Sequence, residues 1–137
     1  MNSALPSPAD YTLTAPLKLL IVDDSLVIRR SIERHIEKWN FASIQTAGNG
    51  AIAMEIFRKE PADIVTMDIT MPEMDGLSCV EAMLRIKPNV QILVISALAD
   101  KSTAVEAVKR GAMGFLLKPF DAAKIHEALQ EMIEDVV

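Results

Sequence analysis

The sequence predicts an α/β fold, a doubly wound five-stranded parallel sheet with helices on both faces. The first sign is the alternation of short apolar runs with helical patterns, repeated five times with short links between them. The second is the character of those runs: Lys18-Leu19-Leu20-Ile21-Val22 and Val90 to Ile95 are hydrophobic throughout, as strands covered on both faces are. The third is size. A chain of 137 residues, 50% of them hydrophobic, is one domain long enough to bury a real core. Right-handed crossovers leave few ways of connecting such a sheet, and the strand order expected is 2-1-3-4-5.

Residues 1–16 hold Pro6, Pro8 and Pro16 among small and polar residues and read as a flexible N-terminal tail, so the folded domain is expected over residues 17–137. The first strand closes on Asp23-Asp24, and Ser25 stands where a helix N-cap belongs. The helix it opens sets Ile28, Ile32, Ile36 and Trp39 on one stripe, turns Arg29, Arg30, Glu33 and Lys38 elsewhere, and ends at Asn40. Phe41 to Ala47 is more mixed, as an edge strand would be. Gly48-Asn49-Gly50 turns into a second helix holding Ile52, Ile56 and Phe57, which stops before Pro61.

The third strand, Ile64-Val65-Thr66-Met67, runs out at Asp68, and Pro72 and Gly76 punctuate the loop after it. Leu77, Val80 and Leu84 mark a third helix, ended by Lys87-Pro88. Val90 to Ile95 runs into Ser96-Ala97. Asp100 to Arg110 is a small-residue helix with Ala104, Val105, Ala107 and Val108, stopped by Gly111. Gly114 to Leu117 is a short last strand ending at Lys118-Pro119-Phe120. Asp121 caps a final helix with Ile125, Leu129, Met132, Ile133 and Val136 on its apolar side.

Composition removes several functions. A net charge of −5 argues against a nucleic-acid groove or an anionic-membrane surface. No run reaches the roughly 18 apolar residues of a membrane span, and the N-terminus lacks the basic region and apolar core of a secretory signal. A cytoplasmic protein without membrane insertion is expected. The single cysteine, Cys79, rules out an internal disulfide framework and reads as a buried thiol. His35 and His126 have no partner His or Cys at ligand spacing and read as surface or boundary residues. The methionines scatter over several elements as core filler or loop. Neither Gly-x-Gly-x-x-Gly nor a Gly-Lys-Ser/Thr loop is present, so nucleotide binding is not expected.

Four of the five strands deliver a polar side chain at or just past the carboxyl end: Asp23 and Asp24, Asp68, Ser96, and Lys118. In a parallel sheet these ends lie along one rim, where open α/β sheets bind ligands. Taken singly, Asp23-Asp24 reads as a capping pair, Asp68 as a turn residue and Lys118 as a solvated loop lysine. Taken together they have a chemistry. Three crowded carboxylates repel, and one would take up a proton unless a cation neutralised them. Mg2+ is the natural occupant, being a hard ion that prefers oxygen ligands and partners phosphate. Asp68 can then stay ionised and attack phosphorus, while Lys118 and the Ser96 hydroxyl face the oxygens of the moving phosphoryl group. The product is an aspartyl phosphate.

At this point the sequence resembles the receiver domain of two-component response regulators, including the single-domain chemotaxis type, with its flavodoxin-like fold. The matching stretches are Val22-Asp23-Asp24-Ser25, Met67-Asp68, Met71-Pro72-Glu73-Met74-Asp75-Gly76, Ile95-Ser96-Ala97 and Lys118-Pro119-Phe120, and the likeness runs from about Leu17 to the C-terminus. The resemblance implies that Asp68 is the phosphoacceptor. Asp24 would bind Mg2+ directly and Asp23 largely through water, with the backbone carbonyl of Thr70 as a further ligand. Ser96 would be the switch hydroxyl, and Lys118 would hold the phosphoryl group ahead of a cis peptide bond to Pro119. Phe115 falls at the switch-aromatic station, where Tyr is common, and lacks the hydroxyl a Tyr would offer. Thr70 and Leu98 stand where phosphoryl lifetime is tuned in the family.

The function implied is a phosphorelay switch, not an enzyme beyond its own phosphotransfer and autodephosphorylation. A sensor histidine kinase or histidine phosphotransfer protein would be the donor. A downstream target protein would meet the face of the fourth helix, fifth strand and last helix (Lys101, Glu106, Lys109, Arg110, Phe115, Lys124). The chain would act as a monomer or as a phosphorylation-dependent dimer. One competing reading is a phosphohydrolase with an aspartyl nucleophile. Such enzymes carry a second Asp two residues after the nucleophile, where this chain has Thr70, and a cap insertion that this chain lacks. Another is the receiver part of a longer, DNA-binding regulator.

Overall fold

The structure, a computed structural model, describes Leu13 and residues 15–70 and 76–136. The loop Met71 to Asp75, most of the expected tail and the side chains of Leu98 and Val136 lie outside the described residues. The elements are β1 (Lys18–Val22), α1 (Leu26–Ile36) with a 3-10 turn (Glu37–Trp39), β2 (Ser43–Ala47), α2 (Gly50–Lys59), β3 (Ile64–Asp68), α3 (Gly76–Ile86), β4 (Gln91–Ala97) with a 3-10 turn (Leu98–Asp100), α4 (Lys101–Lys109), β5 (Gly114–Lys118) and α5 (Ala122–Val136). The five strands pair in parallel in the order β2-β1-β3-β4-β5. The expected architecture and strand order are the observed ones.

Strand alternation divides the core into two layers. Leu20, Val22, Val65, Met67, Ile92 and Val94 pack against Ala53, Met54 and Phe57 of α2, Cys79, Val80 and Met83 of α3, and Ala104 and Ala107 of α4. Leu19, Ile21, Ile64, Leu93 and Ile95 face Ile32 and Ile36 of α1, Trp39, and Ile125, Leu129, Met132 and Ile133 of α5. Each Val, Leu, Ile, Phe or Met side chain removed from water here contributes roughly 1.5 to 3 kcal/mol, so both faces of the sheet must be covered. Cys79 is buried, as expected.

The local signals are equally physical. The Ser25 hydroxyl accepts the Ile28 amide (3.3 Å) at the start of α1, and Asn49 does the same for α2 through the Ile52 amide (2.8 Å). Asn40 adopts the left-handed conformation (φ 66°) after the first 3-10 turn, and Gly111 (φ 122°) follows α4. The Asp121 carboxylate accepts the Lys124 amide (2.9 Å) ahead of α5.

At the rim where the strands begin, Asp63 gathers three of them. Its carboxylate accepts the Lys18 amide (2.9 Å) and the Lys87 ammonium (2.7 Å), while its own amide and carbonyl bond to Lys18 and Gln91. Leu13, within the expected tail, is buried in the α1–α5 layer and its amide donates to the Trp39 carbonyl (2.8 Å).

Several expectations about side chains need correction. Ile52 is 44% exposed, since Gly50, Ala53, Met54 and Phe57 form the inner face of α2. Val105 and Val108 are exposed, and only Ala104 and Ala107 of α4 reach the core. Trp39 lies beyond α1, in the 3-10 turn, yet stays buried. His126 is buried, not at the boundary: its ring lies 5.2 Å from that of Trp39 and its Nε2 bonds to the His35 carbonyl (2.6 Å).

Candidate functional site

The carboxyl ends of β1, β3, β4 and β5 lie along one rim because the pairing is parallel and nearly in step, with Val22 opposite Met67, Asp68 opposite Ile95 and Ala97 opposite Lys118. By alternation Asp68 follows Thr66 and Ile64, and Lys118 follows Leu116, toward the α1–α5 layer. Ser96 follows Ile92 and Val94 toward α4. The topology therefore brings the acids and the lysine to one side of the rim and the hydroxyl to the other.

Asp23 and Asp68 are buried, while Asp24 is exposed. One carboxylate oxygen from each of the three lies within 4.8 Å of the others. The Lys118 ammonium stands 3.0 Å from Asp23 Oδ2 and 3.6 Å from Asp68 Oδ2. The remaining oxygens are held by the residues that follow: the Ser25 amide donates to Asp23 Oδ1 (2.9 Å), and the Thr70 amide (2.9 Å) and hydroxyl (2.7 Å) both donate to Asp68 Oδ1. Each carboxylate is thus oriented with Oδ2 toward the lysine, and neither Oδ2 has a well-directed hydrogen bond.

Electrostatics follow from this crowding. Burial pushes the Asp23 carboxyl above its ordinary range, against the Ser25 amide and Lys118, and the neighbouring Asp68 charge adds to the rise. Burial alone would lower the Lys118 ammonium, but Asp23 and Asp68 outweigh it and hold the lysine above its ordinary value. One cation serves two buried anions, and an exposed third acid stands beside them.

A small hard cation fits this donor set. Octahedral ligands at about 2.1 Å place oxygens about 3 to 4.2 Å apart, so three carboxylate oxygens within 4.8 Å need little movement. Two buried oxygens without hydrogen bonds are the kind of donors that such an ion satisfies.

Of the residues expected at the site, Asp23, Asp24, Asp68, Thr70 and Lys118 come together. The Lys118-Pro119 peptide is cis, as anticipated. Ser96 is buried at the same rim, but its hydroxyl donates to the Ala97 carbonyl (2.8 Å) and, among the described residues, bonds to none of the acids. Phe115 is half-buried, packed against the layer of α2, α3 and α4. One contributor escaped the sequence reading. Arg29, expected to turn away, sends Nη1 back to the Asp23 carbonyl (2.6 Å). Its signal was an arginine near the positive end of a helix whose first turn has no acid, where a cation is disfavoured.

Comparison with known proteins gives the family. Residues 19–130 match the family model described as the response regulator receiver domain. The chain is 39% identical over 115 residues to the chemotaxis protein CheY of Thermotoga maritima, covering 84% of this chain and 96% of that one. It is 34% identical over 122 residues to the regulatory protein AtoC of Escherichia coli, covering 89% of this chain and 26% of the longer relative. A CheY-like response regulator receiver domain from Methanospirillum hungatei superposes with a TM-score of 0.82 over 89% of this chain and 97% of that one. Its 20% identity speaks to the fold alone.

Proposed function

The chain belongs to the response regulator receiver family of two-component signalling, and from that premise we propose that Asp68 accepts a phosphoryl group and that Ser96 and Lys118 convert its arrival into a change of surface. The observation that carries the proposal is the pair of buried carboxylates, Asp23 and Asp68, facing a single ammonium through oxygens that lack a hydrogen bond. Asp24 and Asp68, with Asp23 through water and the Thr70 carbonyl, would hold a Mg2+ ion, which when bound supplies positive charge against the phosphoryl oxygens.

The chain's own residues do the rest. Thr70 fixes Asp68 through Oδ1, which leaves Oδ2 directed at Lys118 as the attacking oxygen. A new oxygen–phosphorus bond forms there as the bond from phosphorus to the donor's imidazole nitrogen breaks. Lys118 then exchanges part of its pairing with Asp23 and Asp68 for the incoming oxygens. Ser96 gives up its bond to the Ala97 carbonyl and donates to the phosphoryl group instead. That motion draws on β4 and the start of α4, next to Phe115.

The donor on this reading is a phosphohistidine of a sensor histidine kinase or phosphotransfer protein. It finds an apolar footing beside the site in Leu26 and Val27, which are 49% and 74% exposed, and in the groove of Ile28, Ser31, Pro119 and Phe120. The target is a protein meeting the face of α4, β5 and α5, where Lys101, Lys109 and Lys124 are exposed. We place the chain with its donor in the cytoplasm, as a monomer or a dimer formed on phosphorylation. Among the described residues no helix is long and apolar enough to cross a membrane. A phosphohydrolase is not favoured, since Thr70 offers no general acid.

The test is labelling with a small phosphodonor in Mg2+. Wild type is expected to take up one base-labile phosphoryl group, and Asp68→Asn none. Equal uptake by Asp68→Asn would move the acceptor elsewhere.

A further inference from the structure

We propose that Arg29 is a positioning residue for the divalent-cation site, holding the Asp23-Asp24 peptide where Asp24 can act as a ligand. The inference rests on the reading of the site given above and concerns a residue outside its ligands.

Asp24 is exposed and, among the described residues, its carboxylate makes no hydrogen bond or ion pair. Its position therefore depends on the main chain that carries it. The peptide joining Asp23 to Asp24 lies just past the end of β1, and its carbonyl is the group Arg29 Nη1 binds at 2.6 Å. Asp23 is held on its other sides as well, its amide by the Ala47 carbonyl (3.1 Å) and its Oδ1 by the Ser25 amide (2.9 Å). Lys118 holds its Oδ2 (3.0 Å), and Arg29 adds a further restraint on the carbonyl of the peptide that leads into Asp24.

The guanidinium also has a seat. A Cβ on Gly48 would lie 3.3 Å from Nη1, so the bare glycine that follows β2 gives the arginine room beside the turn into α2. Arg29 thereby lies between the loop after β1, which it binds, and the loop after β2. Helix stability does not explain a cation here. The helix dipole opposes it in the first turns of α1, and a positive charge near a cation site lowers affinity through repulsion. Two effects of opposite sign thus compete when Arg29 is removed: relief of repulsion tightens Mg2+ binding, and loss of the brace weakens it. The hydrogen bond is short and charge-assisted, whereas the repulsion acts across solvent at an exposed ligand. The brace should win.

The experiment is calorimetric titration of the full 137-residue chain with MgCl2, with melting in EDTA to confirm folding. Arg29→Ala is expected to raise the Mg2+ dissociation constant three- to tenfold, and Arg29→Lys, with one charge and a shorter reach, two- to fivefold. Arg30→Ala, removing an exposed charge with no bond to Asp23, should leave it within twofold. In labelling with a small phosphodonor, the half-saturating Mg2+ concentration should rise by the same factor while the rate at saturating Mg2+ stays within twofold. If Arg29→Ala melts out, Arg29→Lys decides the matter. Wild-type or tighter Mg2+ affinity in a folded Arg29 variant overturns the inference and leaves the site reading intact. A wild-type chain without saturable Mg2+ binding overturns both.

Discussion

Replacing Lys118 with methionine keeps most of the length of the side chain and removes its charge, leaving Asp23 and Asp68 buried without a counter-charge. At an effective dielectric constant of about 20, ammonium–carboxylate pairs at 3.0 and 3.6 Å are worth about 5.5 and about 4.6 kcal/mol. That total is a ceiling the protein need not meet, because a proton can take the lysine's place. Protonating a carboxyl of ordinary value 3.8 at pH 7 costs about 4.4 kcal/mol, at about 1.36 kcal/mol per pH unit. Burial already raises Asp23, so the cost is smaller than that. The expected loss at pH 7 without divalent cation is therefore about 2 to 4 kcal/mol, or roughly 7 to 14 °C in Tm.

The pH dependence gives the sharper signature. A carboxyl whose folded value rises contributes stability below its unfolded value and loses it as pH climbs through the folded one. Lys118→Met should thus be closest to wild type near pH 4 and fall progressively behind toward neutrality. Urea unfolding in EDTA at pH 4, 5, 6 and 7 reads this directly. A variant within about 1 kcal/mol of wild type at pH 7, with a parallel pH profile, would refute the claim that the lysine neutralises the pair.

Two further outcomes follow from the scaffold. Burial would raise the Asp63 carboxyl, but the Lys87 ammonium and the Lys18 amide outweigh it and hold the group below 3.8, so its contribution is present above that value and lost as pH falls beneath it. Asp63→Asn should cost about 1 to 2 kcal/mol at pH 7 and flatten the acid limb of the stability profile, as followed by circular dichroism. Gly76→Ala would place a Cβ 2.6 Å from the Ile69 Cα, a backbone atom that cannot step aside. We expect about 2 to 3 kcal/mol of destabilisation by denaturant melts, with labelling of Asp68 slowed because Ile69 adjoins it.

The sheet was legible because its signals are local. Apolar runs that never alternate mean double burial, and each ends at a polar residue that the parallel pairing then lines up. Which side chains of a helix face inward was less legible where small and large residues compete. Ala104 and Ala107 took the inner face of α4 from Val105 and Val108, and Ala53 displaced Ile52 in α2, because close helix approach favours small side chains. Those choices depend on spacing between layers, which no single segment encodes. His126 was misplaced for a similar reason: its partners, Trp39 and the His35 carbonyl, lie far away in sequence. Arg29 was hidden by the amphipathic pattern, which reports the side of the helix a residue leaves from and not where a long side chain ends.

The Asp63 staple has a mechanical meaning for the opposite rim. With β1, β3 and β4 tied together where they begin, none of these three can slide past its neighbour without tearing several bonds at once. The sheet is a clamped plate, free only along its far border. On the reading proposed above, charge added at that border would be taken up by the connecting segments beyond the strands and by the end of β4, and would pass sideways toward α4.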